Sequence, residues 1–466
     1  MQYSVVNYKT VRENSDFRID AEYYRQYFFD LLSKISQKKN FALSEISSNK
    51  TKRFKGDYDF EYLEISNIST ADASCIYQFL SKEETPSRAQ KILKNKDVVI
   101  STVRPNRNAV SFINEIEGLK VASSGFCVLR NFRNVLPEYI FILFKTYIFR
   151  DLLDRETKAT MYPAVSEEDI LNLRIPIFSL NFQKKIAGIV LELFKKQNQS
   201  KSLYSQAEQL LLSELGLLGW KPKHTLAFVK NYSDTQKAER IDAEYFQPFY
   251  DEIENQLSKF EQTRLDNICD LINYGTVPTS PYVEKGKAYI KGLNLVDGFI
   301  VGPFDYLENT ENLSEKFYTK ENDIIISQMG TVGKAGLVSK EEEGFLFASF
   351  TIRARLKNDD FIKPHVLTMF INTIARPYYL LRKIAQASVR QNTDLPTIKA
   401  LKVPKLDKRL QENIQKKVIK SQKAKKLSKS LLEIAKRGVE IAIEKDEQEA
   451  EEWIESEIEK LGVRIQ

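Results

Sequence analysis

The chain has 466 residues, 42% of them hydrophobic and 29% charged, with a net charge of +7; this bounds it to roughly two to four globular domains leaning towards a polyanionic partner. Three scattered cysteines (Cys75, Cys127, Cys269) with no CxxC, and two histidines (His224, His365), argue against a disulfide framework, structural zinc and a His-rich metal site. No apolar run approaches a membrane span, and the opening "MQYSVVNYKTVREN" lacks a signal-peptide core, so a reducing cytoplasm is the expected setting.

Residues 18–24 read "RIDAEYY", followed by Tyr24, Phe28, Leu31 and Ile35 on one helical face. Asp20 is the expected N-cap, with Glu22 in the first turn. The pattern is one of burial, so a packing helix without chemistry is expected. A mixed region with several short strands follows over 36–180. It contains "YLEISNI" (62–68), "KNKDVVIS" (94–101) and "EEDILNLRIPIF" (167–178). A proline-free helix is predicted near 181–215, with Phe182, Ile186, Ile189, Leu193, Leu203, Ala207 and Leu210 on its seam, interrupted by Lys196 and Ser200.

The same order then recurs. "RIDAEYF" (240–246), with Asp242 as the expected N-cap and Glu244 in the first turn, leads into Phe246, Tyr250, Ile253 and Leu257. A second mixed region over 258–406 carries "YIKGLNL" (289–295), "KENDIIIS" (320–327) and "TDLPTIKALKVPKL" (393–406). The second long helix is predicted near 408–445, with Leu410, Ile414, Lys417, Ser421, Ala424, Ser428, Leu431, Ala435 and Gly438 on its seam. The offset between matched segments drifts only from 222 (18 to 240) to 228 (200 to 428), so the chain is a duplication.

A bulky seam and a small-residue seam suit a close helix pair. Antiparallel packing predicts a rod roughly 50 Å long with a lobe at each end and approximate two-fold symmetry. Such a rod matches DNA half-sites spaced by roughly 15 base pairs. Residues 408–437 hold eleven Lys/Arg against two Asp/Glu, a stretch suited to phosphate contact or to a solvated face. Residues 440–460 reverse the sign with ten Asp/Glu and two Lys, and Trp453, Ile454, Ile458 and Leu461 form an apolar stripe there. This stretch reads as an insertion that either stays solvated or docks a partner. "EKLGV" (459–463) echoes "SELGL" (213–217) and "VVNY" (5–8) echoes "VKNY" (229–232), so the chain ends are expected to meet.

Two variable lobes, each preceded by "RIDAEYY/F" and followed by a long helix, resemble the specificity (S) subunit of Type I restriction–modification systems. "DIIIS" with "QMGTVGKAGLV", and "SVRQNTDLPTIKALKVP", are similar to that family's target-recognition domains, and the resemblance covers nearly the whole chain. The first repeat departs from it at "STVRPNRNAV" and "ATMYPAVS". The resemblance implies an α+β fold with two target-recognition domains separated by a pair of long antiparallel, coiled-coil-like helices. The implied segments are 1–180, 181–239, 240–407 and 408–466. It further implies that each lobe reads half of a bipartite double-stranded DNA site and that the helices dock two methyltransferase (M) subunits, which use S-adenosylmethionine. Two restriction (R) subunits using ATP and Mg are the further partners of a restricting system. The chain itself would be non-catalytic, with no cofactor of its own. In keeping with this, the sequence holds no methyltransferase Pro-Pro motif, HExxH or Gly-x-Ser-x-Gly, and "GTVGKA" (330–335) is too short for a phosphate loop.

Base reading needs Arg, Lys, Asn or Gln on rigid loops. The first lobe offers Arg53, Lys55, Arg104, Asn106, Arg107 and Lys158. The second offers Asn273, Tyr274, Gln328, Thr331, Lys334, Arg390, Gln391 and Asn392. The loops at 104–108 and 388–392 are the foremost candidates. A pseudo-symmetric scaffold whose lobes bind proteins is the alternative, separated from DNA recognition by salt-dependent DNA binding.

Overall fold

The computed structural model describes every residue except 1–5, 14–17, 159–161, 279, 309, 311–312, 385–391 and 466. The chain forms two compact units, residues 1–198 with 424–466 and residues 199–423. Two long helices, Leu180–Glu214 and Lys408–Glu444, contribute to both and fall where the apolar spacing predicts them.

In the first unit a four-stranded sheet runs in the order 78–80, 60–63, 120–123, 89–92, and a three-stranded sheet in the order 110–112, 98–101, 126–129. The β-branched run Val98–Ser101 is fully buried at the centre of the second sheet. Helix Pro137–Lys145 packs on that sheet, helix Tyr147–Arg155 packs on Pro137–Lys145 and on the turn 105–107, and the core continues through Phe182, Ile186, Ile189 and Leu193 to Leu431 and Ala435. In the second unit a six-stranded sheet is ordered 269–274, 351–356, 324–327, 335–337, 298–300, 295–296, with a four-stranded sheet beside it. Here Ser200 and Ser421 face each other at 3.0 Å and Lys417 donates to Gln206 at 2.6 Å, so the helix segments within this unit run antiparallel.

The internal repeat extends to individual bonds. Strand 40–42 pairs antiparallel with 174–176, and 262–264 pairs with 402–404 in the same register, Asn40 opposite Pro176 and Gln262 opposite Pro404. Asp97 accepts from Lys94 N at 2.7 Å and from Arg130 at 2.6 Å; Asp323 accepts from Lys320 N at 2.8 Å and from Arg355 at 2.6 Å. Lys96 and Asn322 both turn the chain with positive φ, +64° and +70°. Buried Gln183 and Gln411 each cap a lobe helix by accepting from Leu136 N (2.9 Å) and Lys363 N (2.8 Å).

The repeated heptapeptide differs from its sequence-based expectation. The helices begin at Gln26 and Pro248, so Asp20 and Asp242 are not their N-caps. Arg18 instead grips Asp20 with two bonds (2.8 and 3.0 Å), and Asp20 accepts from Tyr23 N at 3.1 Å. Arg240, Asp242 and Tyr245 repeat this arrangement. The hydrogen bond from each arginine holds its aspartate below the usual carboxylate range. A turn closed by a charge-assisted fork satisfies these groups locally, which leaves the helix to start where its apolar stripe begins. Arg155 then lies 3.6 Å from the Tyr23 ring centroid and donates to Tyr23 O at 3.0 Å. Arg382 does the same to Tyr245, at 4.7 and 2.8 Å.

The seams also need correction. Gln411 and Val418, not Leu410 and Lys417, are buried on the second long helix; on the first, Leu203 and Leu210 are only half-buried, while Gln197 and Leu211 are buried. The acidic tail forms its own helix, Glu447–Leu461, whose Ala450 and Ile454 join the first unit's core. Lys185 bridges Glu451 and Glu455 at 3.3 and 2.6 Å.

Candidate nucleic-acid interface

The first unit's candidate loops are laced together by backbone bonds. The central strand ends at Ser101, whose Oγ donates to Val103 O at 2.8 Å. Thr102 N donates to Gly125 O and Thr102 O accepts from Val165 N, both at 2.9 Å. Arg104 N donates to Pro163 O and Ser124 N to Arg88 O, both at 2.7 Å. Phe54 N reaches Gln90 O at 2.8 Å, and Ile92 N reaches Lys52 O at 3.1 Å. Segments 52–54, 88–92, 102–108, 124–125 and 162–165 thereby form one continuous edge.

On that edge Arg53, Lys55, Asn106 and Arg107 are exposed. Arg104 and Asn108 bracket the one-turn helix Pro105–Arg107, both left-handed at φ +49° and +55°. Pro105 is buried beneath, which lifts Asn106 and Arg107 outward. The Arg104 guanidinium lies 5.5 Å from the ring centroid of Tyr162. Exposed Lys158 also belongs here, but its amine pairs with Asp169 at 3.1 Å. Exposed Arg88 and Tyr162 join the edge and are not among the residues the sequence points to. No local pattern signals them: Tyr162 meets Arg104 across 58 residues only because the sheet brings the two loops together.

The second unit repeats the frame with other side chains. Ser327 Oγ donates to Met329 O at 3.0 Å. Gln328 N donates to Phe350 O at 2.9 Å, and Gln328 O accepts from Thr393 N at 3.0 Å. Met329 bridges to Asn392 as Val103 bridges to Ala164. The equivalent edge thus brings Gln328 and exposed Asn392 together with exposed Met329 and Phe350. Lys334 is half-buried at the end of the turn. Arg390 and Gln391 lie outside the described residues.

Three second-unit candidates are engaged internally. Asn273 Oδ1 accepts from Arg353 at 3.2 and 2.7 Å, and Arg353 is fully buried, bonded also to the carbonyls of Lys316 and Tyr318. Burial lowers the Arg353 pKa against the pull of Asp323, so Asn273 serves a desolvated cation. Tyr274 OH accepts from Leu395 N at 3.0 Å. Thr331 Oγ1 donates to Ser327 Oγ at 3.1 Å, within the turn.

The two edges differ in chemistry. Guanidinium groups beside an exposed aromatic suit phosphate and guanine, whereas amides beside apolar side chains suit adenine and the thymine methyl. Among the described residues no helix is long and apolar enough to cross a membrane, and no group of three His, Cys, Asp or Glu side chains could hold a metal ion.

The family model for the Type I restriction modification DNA specificity domain matches residues 35–209 and 257–434. The chain is 24% identical over 250 residues to the Type I restriction enzyme HindI specificity subunit of Haemophilus influenzae. That alignment covers 51% of this chain and 52% of the relative, about half of its length. Among solved structures, the HsdS subunit from Thermoanaerobacter tengcongensis is similar at 18% identity and TM-score 0.33, covering 88% of this chain and 97% of that one. The S subunit from M. genitalium is similar at 13% identity and TM-score 0.42, covering 86% and 94%. With two separate matches that together take in well over half of its residues, the chain belongs to the Type I restriction modification DNA specificity family.

Proposed function

We propose that the chain is the sequence-specificity subunit of a Type I restriction–modification complex. Each lobe reads one half of a bipartite double-stranded site, and the paired long helices set the gap and dock two methyltransferase subunits. The chemistry belongs to the partners: the M subunits methylate adenine with S-adenosylmethionine and, in a restricting system, R subunits cleave with ATP and Mg. The chain is non-catalytic and works in the cytoplasm. In this reading the lobes occupy 1–180 and 240–407, and the spacers 181–239 and 408–466.

One observation carries the proposal. The two family-matched regions hold their edge loops in the same backbone frame, Thr102 to Gly125 and Val165 in one, Gln328 to Phe350 and Thr393 in the other, yet present different side chains. A constant frame with variable side chains is what two readers of different half-sites require. Base-resolution mapping of adenine methylation tests it, in cells carrying the methyltransferase partner with and without this chain. The expected result is a bipartite motif that disappears with the chain. An active methyltransferase in stable complex, with no chain-dependent motif, would instead favour a protein-binding scaffold.

A further inference from the structure

Lys145 ends the helix Pro137–Lys145 inside an apolar stretch, and its side chain is 3% exposed. Its amine donates to Asn108 O at 3.0 Å and to Thr70 O at 3.2 Å, while Asn108 Nδ2 donates back to Lys145 O at 3.3 Å. Asn108 is the left-handed residue that closes the Pro105–Arg107 turn. Its own Oδ1 is buried without a hydrogen-bond partner, so this turn is not held by asparagine self-capping. Burying an amine costs free energy unless its donors are satisfied, and here the Lys145 amine donates to two backbone carbonyls of loops. Burial, with Lys436 adding to it, pushes the Lys145 pKa down to about 7.

Thr70 belongs to a loop that is itself anchored. Gln197 of the first long helix donates to Asp72 O at 2.6 Å, and Ser111 Oγ donates to Ala73 O at 2.6 Å. Lys145 therefore links the exposed turn to a loop fixed on the long helix. The second unit grips its equivalent turn from the corresponding helix with other groups. Asn372 exchanges two bonds of 2.9 Å with the backbone of Ala335, and Arg376 donates to Val332 O at 2.9 Å. Gly333, at φ +74°, lets the turn approach Arg376 so closely that a Cβ would lie 3.0 Å from Arg376 Cγ.

We propose that Lys145 is a positioning residue for base recognition by the first lobe, holding Asn106 and Arg107 in place through the Asn108 carbonyl, and that Arg376 plays this part for the second lobe. The proposal rests on the specificity function given above. Neither residue touches DNA; each fixes the turn that does.

The test is the methylation map of the assembled complex carrying Lys145→Met or, separately, Arg376→Met. The expected result is reciprocal. Lys145→Met raises methylation at sites altered by one base in one half of the motif by about ten-fold, leaving the other half as strict as before. Arg376→Met relaxes the opposite half. The untouched half serves in each case as an internal control for folding. Equal relaxation of both halves, or unchanged strictness in both, overturns the proposal. Lys145→Gln, which keeps a donating group, carries the same test if the methionine variant does not accumulate, and is expected to relax the same half less. Absence of any motif with the unaltered chain would overturn the specificity function instead, so the two failures are distinguishable.

Discussion

Asn273 and Arg107 illustrate how one residue type list separates into two roles once burial is known. Asn273 holds a fully buried guanidinium, so Asn273→Ala leaves Arg353 short of an acceptor. The expected outcome is a loss of about 1–3 kcal/mol in second-unit stability by denaturant titration, with the methylated motif unchanged. Arg107 is exposed on the turn, so Arg107→Ala should leave stability unaltered and either relax one motif position or weaken binding to all sequences. The Tyr23 clamp is a third case. Arg155→Ala removes both the ring contact and the bond to Tyr23 O, and should destabilise the first unit by roughly 1–3 kcal/mol. Titration adds a fourth. Burial, with Lys363 beside it, pushes His365 down to about 4 from 6.5. The unfolded chain takes up this proton near pH 6.5 and the folded chain only near pH 4. Stability from this group is therefore complete above pH 6.5 and is lost as pH falls towards 4, by up to about 3 kcal/mol. Denaturant titrations at pH 7.5 and pH 5 should show a smaller pH difference in His365→Leu.

At the scale of elements, periodicity made the long helices legible to within a residue or two, because a helix of this length repeats its apolar spacing many times. The heptapeptide was legible as a repeat but not as a turn. Its Asp fits an N-cap equally well, since the arginine two residues before it can pair with it in a turn as readily as it can lie free ahead of a helix; the arginines that clamp the turn from outside, Arg155 and Arg382, lie far along the chain. The edge loops were legible as sets of polar residues. Their mutual arrangement was not, since it depends on non-local bonds such as Val165 N to Thr102 O. Lys145 was invisible for the same reason, being a lone cation in the run "FILFKTY". The acidic helix gives an element-scale test. Gly438 of the second long helix would place a Cβ 2.4 Å from Ile454 Cδ1, and Ile454 is fully buried. Gly438→Ala gains about 1 kcal/mol of helix propensity but overpacks at a cost of about 1–3 kcal/mol, so a net loss is expected. Gly438→Ala with Ile454→Val should recover part of it in thermal unfolding.

At the scale of the whole molecule, the chain writes one scaffold twice and varies what the scaffold displays. The Asp97–Arg130 and Asp323–Arg355 pairs, the buried glutamines 183 and 411 and the two RIDAEY clamps are the constant part. The 102–108 and 328–334 turns are the variable part, bearing Arg104, Asn106 and Arg107 in one and Gln328, Met329 and Lys334 in the other. Under the proposed function, such a division of labour would make the lobes separable in specificity. The most direct measurement is a base-resolution adenine methylation map after exchanging residues 258–406 for the corresponding lobe of a relative with a different half-site. The expected result is a motif in which one half is replaced while the other half and the spacing persist. A motif altered in both halves, or in neither, would contradict the account.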